Sequence, residues 1–223
     1  MRAIAVVSGG LDSVTMAYQL RAEGFDLDLV AFDYGQRHRK ELQFSKAAAC
    51  ALDARFDLID MTRVGEHLQG SALTSDIPVP DGHYAEESMK VTVVPNRNAI
   101  MLAIAYGVAV SRSAGVVASA VHAGDHFIYP DCRPGFVAAF AAMQRLATEG
   151  FGEVQLVTPF LNASKADIVA TGHRLGVPFD RTWSCYKGGD LHCGTCGTCV
   201  ERREAFTLAG VPDPTSYIQQ ENE

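Results

Sequence analysis

Four cysteines, Cys185, Cys193, Cys196 and Cys199, fall within fifteen residues in the spacing C-x7-C-x2-C-x2-C. Two-residue gaps with intervening glycines allow successive thiolates to converge on one ion. Four sulfurs make a closed tetrahedral site that suits a structural Zn²⁺, although an iron–sulfur cluster accepts the same ligands. His192, beside Cys193, could replace one thiolate only if adjacent residues turned to the same ion. Near the other end of the chain, Ser8-Gly9-Gly10-Leu11-Asp12-Ser13 follows an apolar run and precedes a helical pattern. Gly9 and Gly10 let backbone approach an anion, Ser8, Ser13 and Thr15 offer hydroxyl donors, and the helix start offers free N–H groups. The loop is therefore read as a phosphate cradle, distinct from Walker A and from G-x-G-x-x-G. Asp12 fits such a cradle either as a helix cap or as a ligand to a divalent cation riding on the phosphates.

Three further segments carry suitable chemistry. Phe32-Asp33-Tyr34-Gly35-Gln36-Arg37-His38 ends the second apolar run, where a carboxylate and an aromatic could meet a nucleotide. Val94-Pro95-Asn96-Arg97-Asn98 puts Arg97 at a helix start, a position unfavourable for a cation unless an anion sits there. Tyr129-Pro130-Asp131-Cys132-Arg133 follows the turn His122-Ala123-Gly124-Asp125-His126, and Asp131 can accept two hydrogen bonds from a guanine-like amidine edge. Alone, each segment reads equally well as a loop or cap. In Ser164-Lys165-Ala166-Asp167, the S-x-x-D pattern is a capping signal that leaves Lys165 in the first turn, disfavoured by roughly 0.3 to 1 kcal/mol. A solvated lysine bears that cost easily. The other reading has Lys165 and the helix N-terminus converging on a polyphosphate.

The elements that must position these residues are legible from periodicity. Strand-length apolar runs at 3–7, 27–32, 56–59, 116–121 and 154–157 alternate with helical patterns at 13–22, 39–54, 98–111, 136–148 and 165–175. Strand then helix, repeated, predicts an α/β fold with a doubly wound parallel five-stranded sheet. The expected organisation is an ATP-binding domain over 1–180, with a small four-cysteine segment and tail over 181–223 packed on it. Segment 67–95 interrupts the rhythm with Pro78, Pro80 and Asp81-Gly82, and reads as a lid or binding loop or as a disordered insertion. The tail beyond Val211 is expected to fray.

The chain has 223 residues, 48% of them hydrophobic, which fits one folded domain and excludes a disordered chain. Lys and Arg number 19 against 26 Asp and Glu, a net charge of −7 without a basic block, so no nucleic-acid partner is expected. No apolar run approaches the roughly 20 residues of a membrane helix, and the first residues lack a secretory pattern. The expected setting is cytoplasmic and reducing, where clustered cysteines bind metal and do not form disulfides.

Ser8 to Ser13 matches the SGGxDS signature of the PP-loop ATP pyrophosphatases, which the chain resembles. Adding FDYGQRH, YPDC, Thr158-Pro159-Phe160, Trp183-Ser184-Cys185-Tyr186 and the cysteine block, the chain is similar to the 7-cyano-7-deazaguanine synthase family from Val6 to about Arg203. Asn96 stands where that family often has a small residue. The resemblance implies an adenine-nucleotide α-hydrolase-like fold and ATP-dependent conversion of 7-carboxy-7-deazaguanine and ammonia to the nitrile. It implies that ATP with Mg²⁺ is held by Val7, Ser8, Gly9, Gly10, Leu11, Asp12, Ser13, Val14, Thr15, Met16, Ala17 and Asp33. Tyr34, Gln36, Arg97 and Asp131 are implied to bind the substrate, Asp12, Arg97 and Lys165 to serve catalysis, and the four cysteines to hold one structural zinc. A homodimer and a packed or substrate-adjacent Cys132 complete the expectation. A sulfur-inserting enzyme acting on RNA would share the loop but should be basic. A zinc-bearing nucleotide sensor would need neither Arg97 nor Asp131.

Overall fold

A computed structural model describes residues 1–83 and 87–219 of the chain. The first half runs β1 (Arg2–Val6), α1 (Leu11–Ala22), β2 (Asp26–Asp33), α2 (Glu41–Ala51), β3 (Arg55–Asp60) and a single turn, α3 (Thr62–Gly65). The second half runs α4 (Arg97–Ser111), β4 (Val116–Ala118), α5 (Pro134–Ala147), β5 (Gln155–Val157), α6 (Lys165–Arg174) and α7 (Gly197–Ala209).

Each central strand is apolar on both faces. Ala3 and Ala5 of β1, Leu27 and Leu29 of β2, and Val116 and Ala118 of β4 face a core built with α1, α2, α6 and α7. Ile4, Val30, Phe32 and Val117 face the opposite core, built chiefly with α4 and Phe140 of α5. Burial on both faces is what continuous apolar runs require, and it selects a parallel sheet covered by helices. The strand order is β3-β2-β1-β4-β5, with every pair parallel. The chain leaves β1 toward β2 and later returns to its other edge at β4, so a topological switch point opens at their carboxyl ends.

The parallel five-stranded sheet expected from the sequence is present, with informative differences at its margins. β4 ends at Ala118 and not at 121 because its neighbour β5 ends at Val157, leaving no ladder beyond Ser119. Helix α7 has no counterpart among the expected helices: it starts inside the cysteine block, with Cys196 as N-cap, and ends at Gly210 at φ 65°. Its Ala205 and Phe206 enter the main core.

The tail is docked and not frayed as far as Ile218. Tyr217 bridges to His192, the Ile218 N–H donates to the His192 carbonyl at 2.9 Å, and Arg202 donates to Thr215 Oγ1 at 2.7 Å. Within 67–95, a 3₁₀ turn (Glu87–Thr92) buries Met89 completely, while Leu73 and Val94 join the core, so the described part is packed and not disordered. Residues 84–86 of that segment, and 220–223 of the tail, lie outside the described residues. Among the described residues, no helix is long and apolar enough to cross a membrane.

Candidate active site

The phosphate loop is shaped by contacts that tolerate no side chain at Gly9. Its φ is 84°, and a Cβ there would lie 2.2 Å from the Glu41 carbonyl oxygen, so the first turn of α2 sits directly against the loop. Ser45 of α2 donates to the Val7 carbonyl at 3.0 Å, and the Trp183 N–H donates to the Gly9 carbonyl at 2.9 Å. Inside the loop, the Ser8 N–H donates to Ser13 Oγ at 3.2 Å and Ser13 Oγ donates to the Gly10 carbonyl at 3.1 Å. Gly10 is the N-cap of α1 and no side chain caps that helix, so its first N–H groups are left available to an anion.

Beside the loop lies a cluster of charge drawn from four parts of the chain. Lys165, the first residue of α6, places Nζ 2.7 Å from Asp12 Oδ2 and 3.2 Å from Glu201 Oε2 of α7. His122 Nε2 is 3.3 Å from the same ammonium, 3.5 Å from Asp125 Oδ1 and 3.9 Å from Asp12 Oδ2. Because the Gly124 N–H donates to His122 Nδ1 at 3.1 Å, the ring proton sits on Nε2. Burial would pull the Lys165 ammonium down, but Asp12, Glu201 and Asp125 outweigh it and hold the group above its ordinary range. Burial likewise opposes ionisation of Asp12, yet the Lys165 ammonium holds its carboxyl below the usual value. Asp12 Oδ1 is buried without a hydrogen-bond partner, which fits a carboxylate able to take a cation. Ser164 and Asp167 form the capping box their spacing predicts, with the Asp167 N–H donating to Ser164 Oγ at 3.2 Å.

Across the cavity, Arg97 donates to Tyr34 Oη at 3.2 Å from the start of α4, which follows the left-handed Asn96 at φ 60°. Asparagine tolerates that conformation better than other residues with a side chain. Gln36 receives the Tyr34 N–H on Oε1 at 3.0 Å and donates from Nε2 to Glu41 Oε1 at 3.3 Å. Burial pushes the Glu41 carboxyl up to about 7, against the pull of Arg97 and Gln36. Cys132 also borders the cavity, where burial pushes its thiol up and Asn98 Nδ2 donates to its sulfur at 3.1 Å.

The four-cysteine block folds as a knuckle whose sulfur atoms all lie within 4.8 Å of one another. Gly188 and Gly189 turn the chain at φ 72° and 90° between Cys185 and Cys193, and Cys199 lies in the first turn of α7. Backbone N–H groups of Cys193, Thr195 and Cys196 donate to cysteine sulfurs at 3.3 to 3.4 Å, the arrangement that stabilises thiolates around a metal. His192 is not a fifth candidate, since its Nε2 accepts the Ser184 N–H at 3.1 Å.

A cavity of about 240 Å³ joins these parts, and Val7, Ser8, Gly10, Leu11, Asp12, Ser13, Tyr34, Gln36, Arg97 and Lys165 all border it. Gly9 does not border it, because it packs against the first turn of α2, and neither do Val14, Thr15, Met16 and Ala17, which one turn into α1 are buried in the core. Asp33 also stands off the cavity: its carboxylate accepts the Gly35 N–H and pairs with Arg39. Asp131 is placed outside the lining and accepts the Asn98 N–H at 2.9 Å, capping α4. A carboxylate is thus the anion at the start of that helix. Sequence reasoning overlooked Glu41 and Glu201 in the site. Glu201 was hidden with α7, and nothing local distinguishes Glu41 from a solvated helix residue. The H-x-x-D capping box of His122 and Asp125 was a readable signal.

Residues 2–210 match the model of the family described as queuosine biosynthesis protein QueC. The chain is 64% identical over 221 residues to a 7-cyano-7-deazaguanine synthase of Sinorhizobium fredii, covering 99% of this chain and 94% of that protein. It is 62% identical to one of Ruegeria pomeroyi, covering 99% and 96%. An NMN synthetase structure from Francisella tularensis has TM-score 0.51 at 16% identity, covering 81% of this chain and 63% of that one, a likeness of fold alone. By the family model and by relatives of this identity over nearly its whole length, the chain belongs to the QueC family of queuosine biosynthesis.

Proposed function

We propose that the chain is an ATP-dependent carbon–nitrogen ligase that converts 7-carboxy-7-deazaguanine and ammonia to 7-cyano-7-deazaguanine. The observation that carries this reading is a cavity joining the Ser8 to Ser13 loop to the Arg97–Tyr34 wall, in a chain 64% identical to a protein of that name. The loop and the N-terminus of α1 would bind the β- and γ-phosphates, with Mg²⁺ held through Asp12 and supplying charge neutralisation. The substrate carboxylate attacks the α-phosphorus and pyrophosphate leaves. Ammonia then attacks the acyl carbon, AMP leaves and a proton is lost, giving the amide. A second activation, at the amide oxygen, makes that oxygen a leaving group, and loss of the remaining N–H protons completes the C≡N bond.

Positioning and fixed charge supply most of the acceleration in such transfers. Tyr34, Gln36 and Arg97 bind the heterocyclic acid, and Lys165 neutralises charge at the phosphates. In this reading Asp33 and Asp131 serve binding from behind the cavity wall, by shaping the turn after β2 and the start of α4. Cys132 takes a packed, substrate-adjacent role in this reading, since it is buried at the cavity wall with Asn98 donating to its sulfur, and the acyl adenylate already reacts with ammonia. Ligand type assigns zinc to the knuckle. The family reading adds a cytoplasmic homodimer, and the net charge of −7 supports a small-molecule substrate. Mass spectrometry of one reaction mixture tests the proposal. AMP, pyrophosphate and the nitrile are expected together; ADP in place of AMP, or no turnover of the acid with ammonia, would overturn it.

A further inference from the structure

Helix α7 ties the cysteine knuckle to the phosphate loop through one side chain. Glu201 lies two residues beyond Cys199, and its Oε2 stands 3.2 Å from Lys165 Nζ, at ion-pair distance but not aligned as a hydrogen bond. Its other oxygen faces the turn after β4, where a Cβ on Gly124 would approach Glu201 Oε1 to 3.1 Å. The neighbouring Arg202, wholly buried, fixes the rotation of α7 by donating to Thr182 Oγ1, Ser184 Oγ, the Phe179 carbonyl and Thr215 Oγ1 at 2.7 to 3.1 Å. Glu201 is therefore held against Lys165 by a helix that cannot turn away.

We propose that Glu201 is a positioning residue for nucleotide binding, sharing Lys165 with Asp12 so that the lysine does not close entirely onto the Asp12 carboxylate. The proposal rests on the reading of the loop as an ATP site. With Glu201 in place, the ammonium stands between two carboxylates and Asp12 keeps one oxygen uncommitted. Without the Glu201 charge, Coulomb attraction draws Lys165 wholly onto Asp12, and the pair offers less to a magnesium–phosphate group. The residue acts through Lys165 and Asp12 and touches no reacting atom.

Glu201→Gln keeps the shape of the side chain and removes its charge. In the full chain with its metal, we expect one metal per chain and a nucleotide-free melting temperature near the parent's. The dissociation constant for MgATP, measured by calorimetry without the acid, should rise about tenfold, equivalent to about 1.4 kcal/mol. The KM for the acid should stay unchanged while the KM for MgATP rises. Lys165→Met and the double variant Lys165→Met, Glu201→Gln should bind MgATP equally, because Glu201 has no route except the lysine. If Glu201→Gln does not fold with its metal, Glu201→Asp retains the charge one methylene further away and should show a smaller rise. Parent-like MgATP affinity in a folded, metal-replete variant at this position would overturn the proposal, as would an added loss in the double variant. Failure of the parent chain to bind MgATP would instead remove the ATP reading, with this proposal falling alongside it. Failure to turn over the acid would leave the binding comparison standing.

Discussion

An ammonium enclosed by carboxylates stabilises a fold only while the ammonium is there, and Lys165 should show this. Lys165→Met leaves Asp12, Glu201 and Asp125 facing one another without their cation. Removing one partner of a buried pair costs about 3 to 5 kcal/mol, and the partial exposure of this cluster reduces that to about 2 or 3. At about 2 to 4 °C per kcal/mol for a chain of this size, the nucleotide-free melting temperature should fall by roughly 4 to 12 °C. An unchanged melt would mean that the cluster contributes nothing. The local sequence suggests the opposite sign, since a first-turn lysine opposes the helix dipole; its true partners are distant in the chain and leave no trace in a local pattern. Glu41 makes a second prediction. Its carboxyl is raised to about 7 by burial, so the protonated form is favoured in the fold and its stabilising contribution is lost as pH rises from about 4.5 through 7. Glu41→Gln should flatten the decline in melting temperature across that window and make the empty protein more stable above pH 7. Parallel pH-dependent melts with unchanged slopes would exclude a raised Glu41.

At the scale of an element, α4 depends on a cap borrowed from another part of the chain. Asn96 carries no side-chain cap bond, and Asp131 from the 3₁₀ turn Pro130–Cys132 accepts the Asn98 N–H in its place. Asp131→Ala should cost about 1 kcal/mol in stability, as loss of a cap does. It should also loosen the first turn that aims Arg97, raising the KM for the acid several-fold while MgATP affinity stays at the parent value. Loss of MgATP affinity instead would show that this turn serves the phosphate end. The contrast with α6 explains what was legible. Ser164 and Asp167 cap their helix from within three residues, so spacing alone revealed the box. Asp131 and Asn98 are joined only by folding, so nothing local in the sequence marks the aspartate as a cap. Helix α7 is not legible in the sequence because Gly197 and Cys199 of the knuckle occupy its first turn and mask its periodicity.

In the whole molecule, the sheet core and the knuckle meet at Trp183. Continuous apolar strands made the core legible, whereas the docking of the tail depends on buried Arg202 and on His192, polar residues whose partners only the fold supplies. Trp183 is 5% exposed, stacks against Phe44 of α2, and donates its backbone N–H to Gly9 in the phosphate loop. His192 lies against the same indole and carries the tail through Tyr217 and Ile218. The knuckle, the tail and the loop therefore share one support. Removing the zinc proposed for the knuckle, or substituting Cys196→Ser, would leave converging thiols with no ion between them and free the N-terminus of α7. A structural metal contributes folding energy directly, and loss of the proposed zinc should cost about 3 to 5 kcal/mol, lowering the melting temperature by roughly 6 to 20 °C. Trp183 emission should shift to the red as the indole meets water, residues 211–219 should become protease-sensitive, and MgATP should bind more weakly because Gly9 loses its tether. A metal-free chain that kept the parent's emission, melt and MgATP affinity would show that the knuckle folds independently of the loop it touches.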